Sequence, residues 1–591
     1  MCGIHLIWGK GANEHAINEM LEKSQHRGPD HRASCSPWPG LWIGVSRLRI
    51  IDTKPESDQP FWSSDTSSLL VWNGELYNHP ELRQLLIAIG IAFSTQSDTE
   101  VVLHLLRIFG PPGLEKMQGM FTLIYADLAD KSLLIARDKN GEKPLYFAQG
   151  NETLLISSEC RSIQSFKKSD FNPKQLEPYF YLRTPIPGKT FFKKVHELKP
   201  GDFSKLYNPI SLQWKTIPHQ RNLPEKPSYQ TFKKTLQNAV IRQFCADVPV
   251  GMLLSGGADS SLLYAFWYKE TGKALPSYTV QVAQKYRKRY ADGDAAERFS
   301  LQFPTRNHKI EVNQKIFWEN WDDYVKSIDQ PIGDSAGFLN WLIGKEAKKS
   351  VKVLISGAGA DELWGGYQRH KAFAFYQKNK AILLRSKGFL DKIPLERSYH
   401  KFIAGIVPNP HRTFLNFSAL ENIPDSLADK YTQIFNRNLS EYRQILDFDR
   451  RVYLVQDVLK VQDNALMAHS IEGRSPYLDE TMQVLWRNIN DEGLLRGKPW
   501  IKSYLTELGL GWISKRPKMG FGLPLQEWFA ENSGFAARIF SSLRAFEKTH
   551  GEWFPSEMRS MCASPQTAVK NHFLTLYNLF LLSEWVKLHK L

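Results

Sequence analysis

Up to about residue 205 the apolar positions come in short runs, broken by Gly, Pro, Asn and Asp. Runs at Leu41–Arg49, Ser68–Trp72, Phe121–Asp127 and Leu133–Arg137 predict strands. Two helices interrupt them. One is predicted at Pro80–Ile89, and one at Asp98–Phe109, where Ser97-Asp98-Thr99-Glu100 supplies an N-cap and an acidic first turn. A polar stretch holding Pro209, Pro218, Pro224 and Pro227 reads as a linker over residues 206–228.

After the linker the rhythm changes. An amphipathic helix is predicted at Tyr229–Phe244, then a strand (Val248–Leu254), a glycine loop and a helix (Ser260–Glu270). Strand Pro276–Val282, helix Ala295–Gln302, strand His308–Val312 and strand Lys352–Ser356 follow, and from about residue 367 the pattern is mostly helical. The reading is therefore a β-rich α+β domain over residues 1–205. An α/β domain over residues 229–591 follows, a doubly wound parallel sheet with additional helices.

Composition narrows the class. The chain of 591 residues exceeds one core, and 42% apolar with 23% charged residues is ordinary for a soluble globular enzyme. No apolar run reaches the roughly 18–20 residues that span a bilayer, and no basic region precedes an apolar stretch at the N-terminus. No membrane partner and no secretory leader are expected. The five cysteines are scattered without a CxxC pair, which points to a reducing, cytoplasmic compartment. The net charge of +15 has its densest cluster at Lys285, Arg287, Lys288 and Arg289, interleaved with Tyr286 and Tyr290. No nucleic-acid module accompanies it, so a basic surface on a protein that handles ATP and acidic metabolites is the expectation, and nucleic acid is not an expected partner.

The chemistry starts at Cys2. Removal of Met1 would leave a thiol and an α-amine on one residue, a nucleophile with its own base. Asn73-Gly74-Glu75 follows a predicted strand and offers an amide, a backbone N–H and a carboxylate. Arg47 could grip a carboxylate, and Asp98 an ammonium; together these suit glutamine. In the second half, Ser255-Gly256-Gly257-Ala258-Asp259-Ser260 follows a strand, where glycines let backbone amides approach a phosphate at a helix N-terminus. No GxxxxGK[ST] occurs. The sextet resembles the pyrophosphate loop of ATP pyrophosphatases, which implies Asp259 beside Mg²⁺ and the Ser255, Ser260 and Ser261 hydroxyls at phosphate oxygens. Asp361, after the strand Lys352–Ser356, is a second carboxylate suited to Mg²⁺. A lysine of Lys515-Arg516-Pro517-Lys518-Met519-Gly520 could neutralise charge at an α-phosphate.

The motifs Met1-Cys2-Gly3-Ile4, His26-Arg27-Gly28-Pro29-Asp30, Asn73-Gly74-Glu75-Leu76-Tyr77-Asn78 and Ala136-Arg137-Asp138 onward to Tyr146 resemble those of class II glutamine amidotransferases. The downstream half resembles glutamine-hydrolysing asparagine synthetases. Its marks are the 255–260 loop, Asp329-Gln330-Pro331, Asp361-Glu362 with Gly365-Gly366-Tyr367, and Glu472-Gly473-Arg474-Ser475-Pro476-Tyr477. The resemblance runs almost end to end. It implies a four-layer α/β/β/α Ntn-hydrolase-like head, with Cys2 as nucleophile and Asn73 and Gly74 as oxyanion hole. It also implies a glutamine site of Arg47, Leu48, Arg49, Ile50, Ile51, Asn73, Gly74, Glu75 and Asp98. For ATP it implies Leu254, Ser255, Gly256, Gly257, Asp259, Ser260, Val280, Ser356 and Gly357. Lys518 then resembles the lysine near the adenylate, and Asp259 with Asp361 the metal ligands. Glutamine, aspartate and ATP with Mg²⁺ are the implied small molecules, a homodimer is left open, and ammonia passes between the sites through a channel shielded from water.

One position departs from the family pattern. The residue after Ser356-Gly357 is typically acidic and linked to forming the aspartyl adenylate; here it is Ala358. Either Asp361 or Glu362 substitutes, or the acceptor is another carboxylate such as a sugar acid or peptide, or the second half is weak. Two further alternatives are tRNA modification, which would use the positive charge, and a non-catalytic protein built on a decayed enzyme.

Overall fold

Alternate side chains of a strand go to opposite faces, and the burial of the N-terminal strands follows that period. Ile4, Leu6 and Trp8 enter one apolar cluster while Ile7 enters another; Leu69 and Val71 separate from Leu70 and Trp72 in the same way. The chain therefore needs cover on both faces of each sheet. The computed structural model describes residues 2–219, 226–287, 290, 292–391, 393, 397–518, 520–531 and 534–590, with residues 397 and 398 described by backbone alone. It has two antiparallel six-stranded sheets here. The first runs His196–Glu197, Tyr146–Gln149, Thr153–Ser157, Gly3–Gly9, Leu41–Arg47, His31–Cys35. The second runs Lys215–Thr216, Asp202–Leu206, Ser132–Arg137, Gly119–Asp127, Ser68–Leu76, Phe61–Trp62.

The sheets share a core of Ile4, Leu6, Ile43, Val45, Leu69, Val71, Ile124 and Ile135. Helices Glu14–Lys23 and Cys160–Phe166 cover the outside of the first sheet through Ile17, Met20 and Ile163. Helices His79–Ala88 and Asp98–Phe109 cover the outside of the second through Leu82, Leu86, Val101 and Leu105. The result is the α/β/β/α layering the motifs implied.

The stretch read as a linker over 206–228 begins inside this unit. Lys215–Thr216 pairs with Asp202 and Phe203, and Ile217 is buried against the outer core of the second sheet. Two exposed strand residues among prolines leave no periodic signal, which is why the sequence reading cut the domain short. Pro224 lies outside the described residues.

The second half holds five parallel strands, in spatial order Arg306–Val312, Pro276–Val282, Val250–Leu253, Val353–Ile355, Glu472–Arg474. The strand that comes first in sequence lies in the middle. Order reverses between it and Val353–Ile355, which creates a switch point at the carboxyl ends, where open α/β sheets bind ligands. Both glycine loops, after Leu253 and after Ile355, leave the sheet at that point. Helix Ala258–Thr271 starts earlier than the predicted Ser260, because Gly257 serves as its N-cap.

The edge strand Glu472–Arg474 was not predicted as a strand, having no β-branched or alternating signature. Ionic pairing holds it in place. Arg474 is fully buried, with Nε on Glu472 Oε1 at 2.6 Å, Nη2 3.2 Å from Glu75 Oε2, and Nη1 donating to the carbonyls of Gln243 and Cys245. Glu75 belongs to the N-terminal half, so this cation ties the halves together. Arg27, also fully buried, does the same by bridging Glu159 and Asp463, the latter at 2.9 Å. Arg474→Leu leaves Glu75 and Glu472 buried without their counter-charge. Stability should fall by about 3–5 kcal/mol, read as a lower urea midpoint, and adding Glu75→Gln should recover part of it.

Candidate active sites

In the first strand, Gly3–Gly9 pairs with Leu41–Arg47 and delivers Cys2 to the edge of the inter-sheet core, where it is buried. The Cys2 backbone N–H donates to Asn73 Oδ1 at 2.8 Å. Asn73 Nδ2 is buried and has no hydrogen-bond partner. A buried amide donor without an acceptor costs free energy unless a ligand supplies the acceptor; an oxyanion beside Cys2 would do so. Burial pushes the Cys2 thiol above its ordinary value, opposed by a Leu48 backbone N–H and the Arg47 cation. Arg27 Nε donates to the Cys2 carbonyl at 3.3 Å, so the same buried arginine steadies the Cys2 backbone and reaches Asp463.

The expected glutamine residues converge unevenly. Asp98, at the first turn of its helix, accepts from Leu76 N–H at 3.1 Å, and burial raises its carboxyl. The Arg47 cation favours the Cys2 thiolate, but its fork is spent on Asp58 (2.7 Å) and the carbonyls of Ile51 and Asp52. The Arg49 side chain also goes to Asp58, at 2.5 Å. Leu48 and Ile50 are buried apolar neighbours, and the Ile50 carbonyl accepts from Asp247 of the second half. Glu75 turns to Arg474, and burial and then Glu472 raise its carboxyl well above the usual range.

At the switch point, Gly256 has φ +64°, and a Cβ there would lie 2.5 Å from Ala296 N; only glycine lets the loop pass under helix Asp292–Gln302. Ser255 Oγ and Ser260 Oγ lie 3.2 Å apart and Gly257 N–H donates to Ser255 Oγ, while Ser261 is fully buried. Leu254 N–H donates to Tyr278 O, and Val280 lies two positions further along that strand. Ser356 Oγ donates to Gln462 Oε1 at 2.7 Å, and its backbone N–H donates to Arg474 O at 2.8 Å.

Asp259 and Asp361, from the two loops, meet on one ammonium. Lys498 Nζ lies 2.6 Å from Asp259 Oδ2 and 2.5 Å from Asp361 Oδ1, and Lys518 Nζ lies 2.6 Å from Asp361 Oδ2. Burial would raise the Asp361 carboxyl, but the two lysines hold it far below the ordinary range. Burial would lower the Lys518 ammonium, but Asp361 and then Asp259 raise it. Lys498 was missed by sequence reasoning. It stands alone before Pro499, with φ +63°, a strained position for a non-glycine residue, and it packs where a Cβ on Gly366 would lie 2.2 Å from its Cε. The signal available was Gly497-Lys498-Pro499, a turn that ends in a buried lysine. Lys371, Lys502 and Arg516 line the same pocket, a cationic cradle suited to phosphates.

Mg²⁺ takes oxygen ligands and retains water and phosphate. Asp259 Oδ1 is buried without a hydrogen-bond partner, so a carboxylate oxygen stands ready. Among the described residues no group of three or more His, Cys, Asp or Glu is preassembled, so phosphate oxygens and water would complete the shell. Of the basic cluster at 285–289, Lys285 pairs with Glu531 (2.5 Å) and Arg287 with Asp294 (3.5 Å), while Lys288 and Arg289 lie outside the described residues, as does Met519.

A buried cysteine beside an unfilled amide donor, and a cationic pocket at a sheet switch point, fit an amidotransferase of the carbon–nitrogen ligase class, the class the family models show. A family model described as a glutamine amidotransferase domain matches residues 1–212, and one described as asparagine synthase matches residues 231–587. The chain belongs to the asparagine synthase family and is a glutamine-dependent, asparagine-synthetase-type enzyme. It is 27% identical to asparagine synthetase [glutamine-hydrolyzing] 1 of Bacillus subtilis over 95% of this chain and 93% of that protein. It is 30% identical to the Asparagus officinalis asparagine synthetase over 63% of this chain and 61% of that protein. It is also 25% identical to amidase chyE of Penicillium rubens over 85% of this chain and 84% of that protein.

Asn73→Ala should lower glutamine hydrolysis by about 10²–10³-fold, the cost of one oxyanion donor. Glutamate release measures it, and ammonia-dependent synthesis should change little.

Proposed function

We propose that the protein is a cytoplasmic asparagine synthetase that takes nitrogen from glutamine and uses ATP, via three coupled steps. In the first, the Cys2 thiol, its proton passed to the α-amine freed by removal of Met1, adds to the glutamine carboxamide. The oxyanion falls to Asn73 Nδ2 and the Gly74 N–H. Collapse expels ammonia, which takes the proton back, and water hydrolyses the thioester to glutamate. Arg47 and Asp98 would hold the substrate's carboxylate and ammonium, which requires Arg47 to release Asp58.

In the second step an acceptor carboxylate oxygen attacks the α-phosphorus of ATP and pyrophosphate leaves. The Ser255–Ser260 loop, Lys498 and Lys518 would carry the phosphates. Asp259 and Asp361 would hold Mg²⁺, which supplies further neutralisation of phosphate charge when bound. In the third, ammonia attacks the acyl-adenylate and AMP leaves. The observation that carries the reading is the reach of Arg474. Its side chain meets Glu75, next to the oxyanion-hole Gly74, while its carbonyl accepts from Ser356 in the nucleotide loop. Ammonia released at Cys2 would cross this interface, past Arg27, Asp463 and Gln462, without entering bulk water.

The acceptor is proposed to be aspartate. Ala358 keeps a second reading in view, the same chemistry on another carboxylate. Alanine can take no proton, and Asp361 is spent on two lysines. Glu362 is the remaining neighbour: burial and then Asp361 lift its carboxyl to about 7, and Tyr367 OH donates to it at 2.6 Å. We assign it the proton released as ammonia attacks.

Cys2→Ala should abolish glutamine-dependent synthesis and spare the ammonia-dependent reaction; equal loss of both would sink the division of labour. A screen of carboxylate acceptors for pyrophosphate release should single out aspartate, and hydrolysis of glutamine with no asparagine formed would reject that acceptor. The ionised form of Glu362 is the active one, so glutamine-dependent amide formation should rise as pH increases through about 7. Glu362→Gln should remove that limb and leave the pH profile of glutamine hydrolysis in place.

A further inference from the structure

The helix Gln368–Leu390 carries six Lys or Arg residues and no Asp or Glu. Phe375, Ile382 and Phe389 are 55%, 69% and 70% exposed. They stand one heptad apart, a spacing that drifts only about 20° per step on a helix. The exposed cations Lys378 and Arg385 alternate with them along the chain. The helix is kinked at Asn379, and the stripe faces outward on both sides of the kink. Tyr399, 62% exposed, continues it on the adjoining helix Arg397–Gly405, whose Phe402 ring lies 6.0 Å from that of Phe375.

A single exposed Leu or Phe is ordinary on a protein surface. A row of large apolar side chains interleaved with cations is not. Elsewhere on this helix the charges are used internally. Arg369 pairs with Asp449, Lys387 donates to the carbonyls of Ala404 and Ile406, and Lys371 lines the phosphate pocket. Lys378, Lys380 and Arg385 make no ion pair shorter than 4 Å with the described residues.

We propose that this stripe seats the protein on an anionic lipid surface. The aromatic and Ile side chains would enter the headgroup boundary while Lys and Arg reach up to phosphates. Charge selects this occupant. A second copy would set one cation-only stripe against another, and an acidic but polar peptide would leave Phe375, Ile382 and Phe389 in water. Among the described residues no helix is long and apolar enough to cross a membrane, so the helix lies on the surface. Sequence reading expected no membrane partner because it looked for a span, whereas this stripe is visible only once burial is known.

The test is co-sedimentation of the full chain with vesicles of phosphatidylcholine alone or of phosphatidylcholine with phosphatidylglycerol. Binding is expected only to the second, falling as salt is raised. The triple variant K378Q/K380Q/R385Q should bind about a hundredfold more weakly, and F375S/I382S/F389S should not sediment. Both should keep wild-type glutamine hydrolysis, which certifies their fold. Failure of the wild type to bind phosphatidylglycerol vesicles overturns the proposal, as does binding that neither variant weakens. Retention on polyglutamate without vesicle binding would assign the stripe to an acidic protein. Dimerisation lost in the apolar variant, without vesicle binding, would assign it to a second copy. Either result overturns the proposal.

Discussion

A guanidinium fully removed from water must be repaid on every side, and Arg474 is repaid by both halves of the chain. Glu472, two residues before it, takes Nε; Glu75 faces Nη2 from the opposite domain; two carbonyls before the nucleotide strand take Nη1. Apolar surfaces would hold two domains together but would let them slide. A buried charge does not, because displacement of an ångström or two leaves it unpaired. Arg27 repeats the device on Glu159 and Asp463, with its third contact on the Cys2 carbonyl. Cys2 and the Ser356 loop are therefore set in register by two cations neither of which need touch a substrate.

The same reasoning governs the phosphate cradle. Asp259 and Asp361 neutralise Lys498, and Asp361 also neutralises Lys518. On the proposed reading a triphosphate would take the lysines and a divalent cation the carboxylates. The exchange keeps the local charge nearly balanced, so the site can be fully formed before substrate arrives without isolated buried charges. Gly366 permits it by leaving room for the lysine stem, and Gly256 by leaving room for the loop beneath its neighbouring helix.

Much of this was legible in the chain. Short apolar runs gave four of the twelve antiparallel strands among the described residues, one in the first sheet and three in the second, and the strand–glycine–helix rhythm gave four of the five parallel strands. Cys2, Asn73, Asp98, Asp259 and Asp361 were named from residue type and position, and folding brings each to one of the two sites. What stayed hidden has a common cause. Glu472–Arg474 and Lys498 are held by partners far away in sequence, Lys215–Thr216 by Asp202 and Phe203 a short way back, and none carries the local apolar pattern that announces an element. Arg47 and Arg49 could be seen as cations, but not that Asp58 would engage both. Long-range pairing is what a one-dimensional pattern lacks.

Ala358 shows why such pairing matters for chemistry. The sequence offered Asp361 and Glu362 as equal replacements for a missing carboxylate. The fold separates them by environment. Asp361 is pinned by two ammonium groups and is a poor proton acceptor at any physiological pH. Glu362, one residue on, turns away from those lysines into a buried setting, where Asp361 disfavours its ionisation and Tyr367 supports it. Adjacent carboxylates are thus shifted in opposite directions, which on the proposed reading would let one helical turn supply both a cation ligand and a base. On the proposed reading a side chain at position 358 would then be dispensable for proton transfer.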